Sequence, residues 1–420
     1  MGDYVSNVCF YFQVHQPFRM RKYRFLDIGK SSHYFDAELN KELCEKVAKE
    51  CYLPANKILL EKIKESGYTM KVAFGVTGVA LEQFEQYVPE VIDSFKELAD
   101  TGCVEFLGET YYHSLSSSFS ESEFDFQVDL HKKKIESLFG QVPKVFRNTE
   151  LIYDNEIAKF AEKAGFEGIL SEGADHVLGW RSANHLYRPK GTSGISLLLK
   201  NFKLSDDIAF RFSDKSWAQW PLTAEKYSDW IASVDDAETI NIFMDYETFG
   251  EHHDAESGIF SFLADLPGKL MEKEISFITP SEAVAAFEPK MELDVPNPVS
   301  WADAERDMSA WLGNKMQESA ASELFKMEQA IKASGDQELL QKWRLLSASD
   351  HLYYMSTKKD MDGLMHNYFS PYNTPYDSFI SYMNILKDMT ARLGDSALPD
   401  QGQAMQIPQV MENNLNARRD

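Results

Sequence analysis

Up to about Pro289, short apolar runs alternate with longer stretches of helical spacing. Runs of consecutive or alternating apolar residues predict strands at 8–14, 70–76, 104–107, 144–146, 168–170, 195–199, 239–244 and 275–278. Between them, amphipathic stretches such as 89–99, 123–138 and 155–164 predict helices. Several are followed by a stop of the kind helix ends prefer: Gly67-Tyr68, Gly102, Gly140 and Gly165-Phe166. Strand, helix, strand in repetition implies a parallel sheet with right-handed crossovers. A strand count near seven suits either a barrel or a doubly wound sheet.

The pattern changes after Phe287. Residues 288–301 carry Pro289, Pro296 and Pro298 and read as a linker. Beyond them, 301–333, 336–355 and 376–393 have helical spacing and few β-branched residues. The expected organisation is an α/β unit over 1–288, a helical unit over 289–393 and a loose polar tail over 394–420.

Composition narrows the function. With 43 basic against 66 acidic residues the net charge is −23, which disfavours electrostatic attraction to nucleic acid or an anionic membrane. A neutral substrate needs no basic funnel, although solubility alone also explains much of this charge. The start, MGDYVSNVCFYF, has no basic n-region or long apolar run, so no signal peptide is expected. Cys9, Cys44, Cys51 and Cys103 form no C-x-x-C pair and show no zinc spacing. Cys9 and Cys103 lie in strand-like runs as expected buried thiols, and a reducing, cytoplasmic setting is the expectation.

The chemistry-bearing residues collect just after the apolar runs. His15-Gln16-Pro17, Gly108-Glu109-Thr110-Tyr111-Tyr112-His113, Arg147-Asn148-Thr149-Glu150, the stretch from Asp245 to His253, and Thr279-Pro280-Ser281-Glu282 each follow a predicted strand. In a parallel β/α fold the C-terminal strand ends share one face, and ligands bind there. Glu150 and Asp245 end two different strands, so they would flank a bound sugar as retaining glycosidic cleavage requires. The apolar approach Ile242-Phe243-Met244 would bury the Asp245 carboxyl and raise its pKa, and Arg147 would hold Glu150 ionised. His15, His113, His252 and His253 lack the H-x-x-x-H or H-E-x-x-H pairing of a zinc helix, so hydrogen bonding to sugar hydroxyls is the expected use and no metal or cofactor is expected. No G-x-S-x-G elbow, Walker loop or G-x-G-x-x-G is present.

These clusters, in order, resemble glycoside hydrolase family 57, and within it the α-amylase group. His15-Gln16-Pro17 is similar to the first signature region and Gly108–Ser114 to the second. Phe146-Arg147-Asn148-Thr149-Glu150-Leu151-Ile152-Tyr153 is similar to the third, whose glutamate is the nucleophile. Met244-Asp245-Tyr246-Glu247-Thr248-Phe249-Gly250-Glu251-His252 is similar to the fourth, whose aspartate is the acid/base. Ser349-Asp350-His351-Leu352-Tyr353-Tyr354 is similar to the fifth. The resemblance spans about residues 8 to 393. It implies an incomplete (β/α)7 barrel followed by an α-helical bundle, an α-glucan substrate, and double displacement without metal, with Glu150 as nucleophile and Asp245 as acid/base. It also implies that Asp350 and Tyr353 reach back to the active-site rim.

The expected substrate-binding set is His15, Glu109, Tyr111, His113, Arg147, Glu247, His252, Asp350 and Tyr353. Tyr111, Tyr353, Trp301 or Trp311 would stack on neighbouring sugars. The family also holds 4-α-glucanotransferases, branching enzymes, amylopullulanases and α-galactosidases, so transfer is the rival to hydrolysis. A metal-dependent deacetylase using the histidines and a non-catalytic glucan-binding protein are the readings from other classes.

Overall fold

The computed structural model describes residues 7–359, 363, 366 and 368–394. The predicted strands are present as β1 (Asn7–Val14), β2 (Val72–Val76), β3 (Val104–Phe106), β4 (Val145–Phe146), β5 (Gly168–Glu172), β7 (Ser196–Lys200), β8 (Ile240–Asp245) and β9 (Ser276–Phe277). Two further three-residue strands, β6 (Tyr187–Pro189) and β10 (Met291–Leu293), interrupt stretches without a strand pattern. β10 lies inside the proline-containing segment read as a linker, and it pairs in parallel with β6.

Two parallel sheets form the wall. One runs β3-β2-β1-β8, with β9 against the start of β1. The other runs β10-β6-β7-β5-β4, in which only the β6–β7 pair is antiparallel. They meet at two seams made of a few bonds in place of full ladders. At the first, the Gly108 amide donates to the Val145 carbonyl (2.9 Å) and the Arg147 amide to the Gly108 carbonyl (2.8 Å). At the second, the Asn201 amide donates to the Asn241 carbonyl (2.8 Å) and the Asn241 side chain to the Leu199 carbonyl (2.9 Å). Helices cover the outside, giving the incomplete (β/α)7 barrel with a helical C-terminal part. No helix among the described residues is long and apolar enough to cross a membrane.

Strand alternation decides what faces inward, because successive side chains point to opposite faces. Cys9, Tyr11, Ala73, Val145, Leu170, Leu198 and Phe243 pack together in the barrel interior. Their neighbours Phe10, Phe12, Phe74, Ile242 and Met244 pack outward under the helices. The register pairs Tyr11 with Ala73 and Phe243, then Gln13 with Gly75 and Asp245. An apolar layer thus forms a floor, and the next inward layer is polar. Gly75 leaves the room that layer needs: a Cβ there would lie 2.5 Å from the Tyr11 phenol oxygen and 3.0 Å from a Glu109 carboxylate oxygen. All four cysteines are buried free thiols.

The C-terminal part is helical where its spacing predicts, with one correction. Residues 301–308 are turns, and the first helix is Ser309–Leu312. Lys315–Lys326, Glu328–Ser334, Gln337–Leu346, Ser349–Tyr353 and Pro375–Leu393 follow. The expected polar tail lies outside the described residues, except for Gly394. Trp311, weighed above as a sugar platform, is 1% exposed and belongs to the core of this part.

One turn ties the outer helices to the strand ends. Ala48–Tyr52 is a π-helical segment, a local widening that often marks a functional position. Gly250, with φ 113°, sits against it, and a Cβ there would lie 2.0 Å from the Glu50 carbonyl oxygen. Both the clash and the backbone conformation exclude a side chain. Gly250→Ala is therefore expected to destabilise the protein by about 2 kcal/mol or more, read as a lowered denaturation midpoint.

Candidate active site

Glu150 stands where β4 turns away from the sheet. Glu150 (φ 58°) and Leu151 (φ 52°) are both left-handed, a conformation that costs a non-glycine residue roughly 1–2 kcal/mol and persists only when its surroundings enforce it. The enforcement is visible. Asn148 donates to the Ile152 carbonyl (3.0 Å), and Thr149 and Thr110 share a hydroxyl bond (2.7 Å). The turn aims the carboxylate into a set of donors. Ser349 Oγ donates to Oε1 (2.8 Å), His113 Nε2 lies 3.3 Å from the same oxygen, and the Trp301 indole N–H donates to Oε2 (2.8 Å). Burial alone would raise the Glu150 pKa. The His113 hydrogen bond and charge, with the Arg147 charge, outweigh it and hold the carboxyl down at about 2.

Asp245 is in the opposite situation. It ends β8 with the inward parity of Phe243. Among the described residues its carboxyl accepts no side-chain hydrogen bond comparable to those on Glu150. Burial, then the negative charge of Glu150, push its pKa up to about 6 against Arg147, His113 and Lys200. Two residues on, Glu247 accepts from the Tyr52 hydroxyl and from the His15 amide (3.2 Å). Burial and the neighbouring Asp245 charge raise its pKa as well.

The histidines form a stacked pair, His15 over His113, with ring centroids 3.9 Å apart. His113 is itself left-handed (φ 52°) and lies between Glu150 and Glu109, 3.5 Å from the latter. Burial opposes its charge, but the carboxylates of Glu109 and Glu150 on either side lift its pKa to about 9. His15 pairs with Asp350 through Nε2 (2.8 Å) and with the Thr77 hydroxyl through Nδ1 (2.9 Å). Burial and the adjacent His113 cation lower the His15 pKa. The pair holds Asp350 ionised, its carboxyl kept well below the usual carboxylate range by His15. Thr77 also caps the helix Gly78–Tyr87 by accepting from the Ala80 amide (3.2 Å), which fixes its hydroxyl direction.

Arg147 lies under this group. The guanidinium is fully buried, and among the described residues none of its three nitrogens has a hydrogen-bond partner. It sits 4.7 Å from the centre of the Trp301 ring, where the π face stabilises a desolvated cation. Donors this deep need partners, and water or a bound hydroxyl would supply them.

The remaining expected residues separate. Glu109 is fully buried and accepts from Gln13 through both oxygens (3.2 Å each). Tyr111 does not offer a face to a sugar: it is 5% exposed, its hydroxyl donates to Glu82 (2.8 Å), and its ring closes over Gly78. His252 packs its ring against Phe369 and Tyr368, at 5.4 and 6.3 Å. Tyr353 stacks on His366 at 3.7 Å. Among the described residues, no three or more His, Cys, Asp or Glu side chains are grouped to hold a metal ion.

Sequence reasoning missed Gln13, Tyr52, Thr77 and Ser349, and gave Trp301 only a stacking role. Gln13 was within reach of the alternation, since Tyr11 points inward. Ser349 adjoins Asp350 in a recognised motif. Tyr52 and Thr77 carried no comparable signal.

Residues 9–296 match the sequence model of glycosyl hydrolase family 57. A Methanocaldococcus jannaschii protein bearing the provisional name alpha-amylase is 46% identical over 91% of this chain and 83% of its own length. A Pyrococcus abyssi alpha-amylase is 26% identical, and that match spans 49% of this chain and 30% of the relative. Among solved structures, a GH57 branching enzyme from Thermococcus kodakaraensis superposes with a TM-score of 0.66 at 14% identity, covering 96% of this chain and 98% of that one. The 4-alpha-glucanotransferase of Thermococcus litoralis gives 0.62 at 18% identity, covering 82% and 55%. At those identities the likeness is one of fold. The family model and the archaeal relative together carry the classification: this chain belongs to glycosyl hydrolase family 57.

Proposed function

We propose that the protein is a retaining α-glucan hydrolase of the α-amylase type, acting on α-1,4 bonds of starch, glycogen or maltooligosaccharides. The observation that carries this reading is the unequal treatment of two carboxyl groups on one strand-end face. Three donors hold Glu150 ionised, whereas Asp245 is held towards its protonated form. That division is what double displacement needs. The Glu150 carboxylate attacks the anomeric carbon while the Asp245 carboxylic acid protonates the departing glycosidic oxygen. Asp245, now a carboxylate, removes a proton from water as the water attacks the glycosyl–Glu150 ester, which releases the sugar and restores both groups. His15, His113, Glu109, Arg147, Glu247 and Asp350 bind and orient the sugar at the cleavage point, with His252 and Tyr353 at the edge. The archaeal relative's name, at 46% identity, supports hydrolysis of α-glucans.

Glu150→Gln and Asp245→Asn are each expected to lower kcat on maltoheptaose by on the order of a thousandfold with the fold retained by circular dichroism. Near-normal turnover by either variant removes it from the mechanism. Incubation with maltoheptaose is expected to give shorter sugars and a rising count of reducing ends. Longer products at a constant count would mean that a glucan hydroxyl, not water, resolves the intermediate. The pH profile of kcat/KM carries a sign. Glu150 must be ionised, and its pKa lies near 2, so activity persists to low pH; Asp245 must be protonated, so activity falls as pH rises through about 6. A kcat/KM that climbs between pH 6 and 8 would exclude Asp245 as the acid.

A further inference from the structure

The turns between Trp301 and Asp307 have no regular structure, yet they deliver the indole that holds Glu150. Trp301 grips this residue twice, through its indole N–H to Oε2 and through its own amide to the Glu150 carbonyl (3.2 Å). The loop closes on itself, since the Ser300 amide donates to the Arg306 carbonyl (3.1 Å) and Ser300 Oγ to the Asp307 carbonyl (2.7 Å). Asp303 and Arg306 are both left-handed, at φ 57° and 50°, and each is held by ions on a different side. Asp303 accepts from Lys358 (2.7 Å) and pairs with His366 (3.1 Å).

Arg306 reaches the opposite way, to the strand ends. Nη1 donates to Glu172 (2.7 Å) at the end of β5, and Nη2 to Asp206 (3.2 Å). Lys200, at the end of β7, meets the same two carboxylates at 3.5 and 3.0 Å. Its ammonium also stands 5.6 Å from the centre of the Trp301 ring. Glu172 is fully buried at its side chain and Lys200 nearly so. A buried cluster of four charges is an expensive way to stabilise a fold, because desolvation consumes most of the attraction, whereas it fixes geometry tightly. Here the geometry fixed is that of the loop bearing Trp301.

We propose that Arg306 is a positioning residue that sets the Glu150 carboxylate through Trp301. The proposal rests on the reading of Glu150 as nucleophile. Arg306 touches neither Glu150 nor the sugar site directly; it pins the loop so that the indole N–H stays on Oε2.

A double-mutant cycle on maltoheptaose tests it. Trp301→Phe, which keeps a ring but loses the donor, is expected to lower kcat about ten- to a hundredfold and to move the acid limb of kcat/KM upward. Arg306→Gln is expected to lower kcat in the same way by a smaller factor, with KM within about twofold and the acid limb displaced in the same direction. In the Trp301→Phe background, Arg306→Gln should add less than about twofold, since both changes release the same contact. Arg306→Lys, able to keep one of the two bonds, should fall between Gln and the native residue. Additive losses, or an acid limb unmoved in Arg306→Gln, would overturn the proposal. If Arg306→Gln fails to fold, Asp206→Asn, which weakens the Asp206 pairs with Arg306 and Lys200 and leaves Glu172 in place, takes its place in the same cycle with the same two readouts. Should Glu150→Gln itself keep its activity, the functional reading falls; should Glu150→Gln be inert while the cycle is additive, only the role of Arg306 falls.

Discussion

The interaction on which the site depends is the sharing of buried positive charge among more carboxylates than it can neutralise. Glu109, Glu150, Asp245 and Glu247 crowd the strand-end face, Asp350 meets them from the helix Ser349–Tyr353, and Arg147 and His113 are buried cations set among them. A buried or half-buried carboxylate stays ionised most readily beside a cation or several donors. Glu150 and Glu109 share His113, with Arg147 nearby, and stay charged. Asp350 takes a hydrogen bond from His15. Asp245 and Glu247 are left over and drift towards protonation. Each carboxyl's state thus follows from which donors and cations stand beside it, above an apolar floor of Tyr11, Ala73 and Phe243.

Much of this arrangement is legible in the sequence, for identifiable reasons. The eight strand runs survive because parallel strands buried on both faces need near-continuous apolar residues. The strand ends then bring the polar clusters together without any further information. β6 and β10 escaped because they are three residues long, β6 contains Pro189, and β10 lies between Pro289 and Pro296, so tertiary pairing alone makes them strands. The stretch 301–308 has helical spacing but is bent into turns by Asp303 and Arg306, whose ion partners lie up to 134 residues away. No local pattern encodes that. Tyr111 reads as a sugar platform in the motif, yet the glycine at position 78 draws its ring inward.

The segment that looked like a connector emerges as part of the working structure. It adds β10 to the sheet margin, bridges Val299 to Tyr153, and ends on Trp301 against Glu150. The barrel and the helices therefore meet through backbone and side-chain bonds at the carboxylate itself, not through a flexible tether. The same surface docks the fifth motif: the Ser349 amide donates to the His113 carbonyl (2.8 Å) while its hydroxyl reaches Glu150.

That docking bears on the order in which the protein becomes competent. His15 and its partner Asp350 are separated by 335 positions, and Glu150 and Ser349 by 199. A chain made from its N-terminus has every described strand, with Glu150 and Asp245, before Ser349 and Asp350 exist. Until they arrive, Glu150 lacks its hydroxyl donor and His15 lacks its anion. The barrel carries its chemistry as a latent charge distribution, and the later-made helix Ser349–Tyr353 completes it.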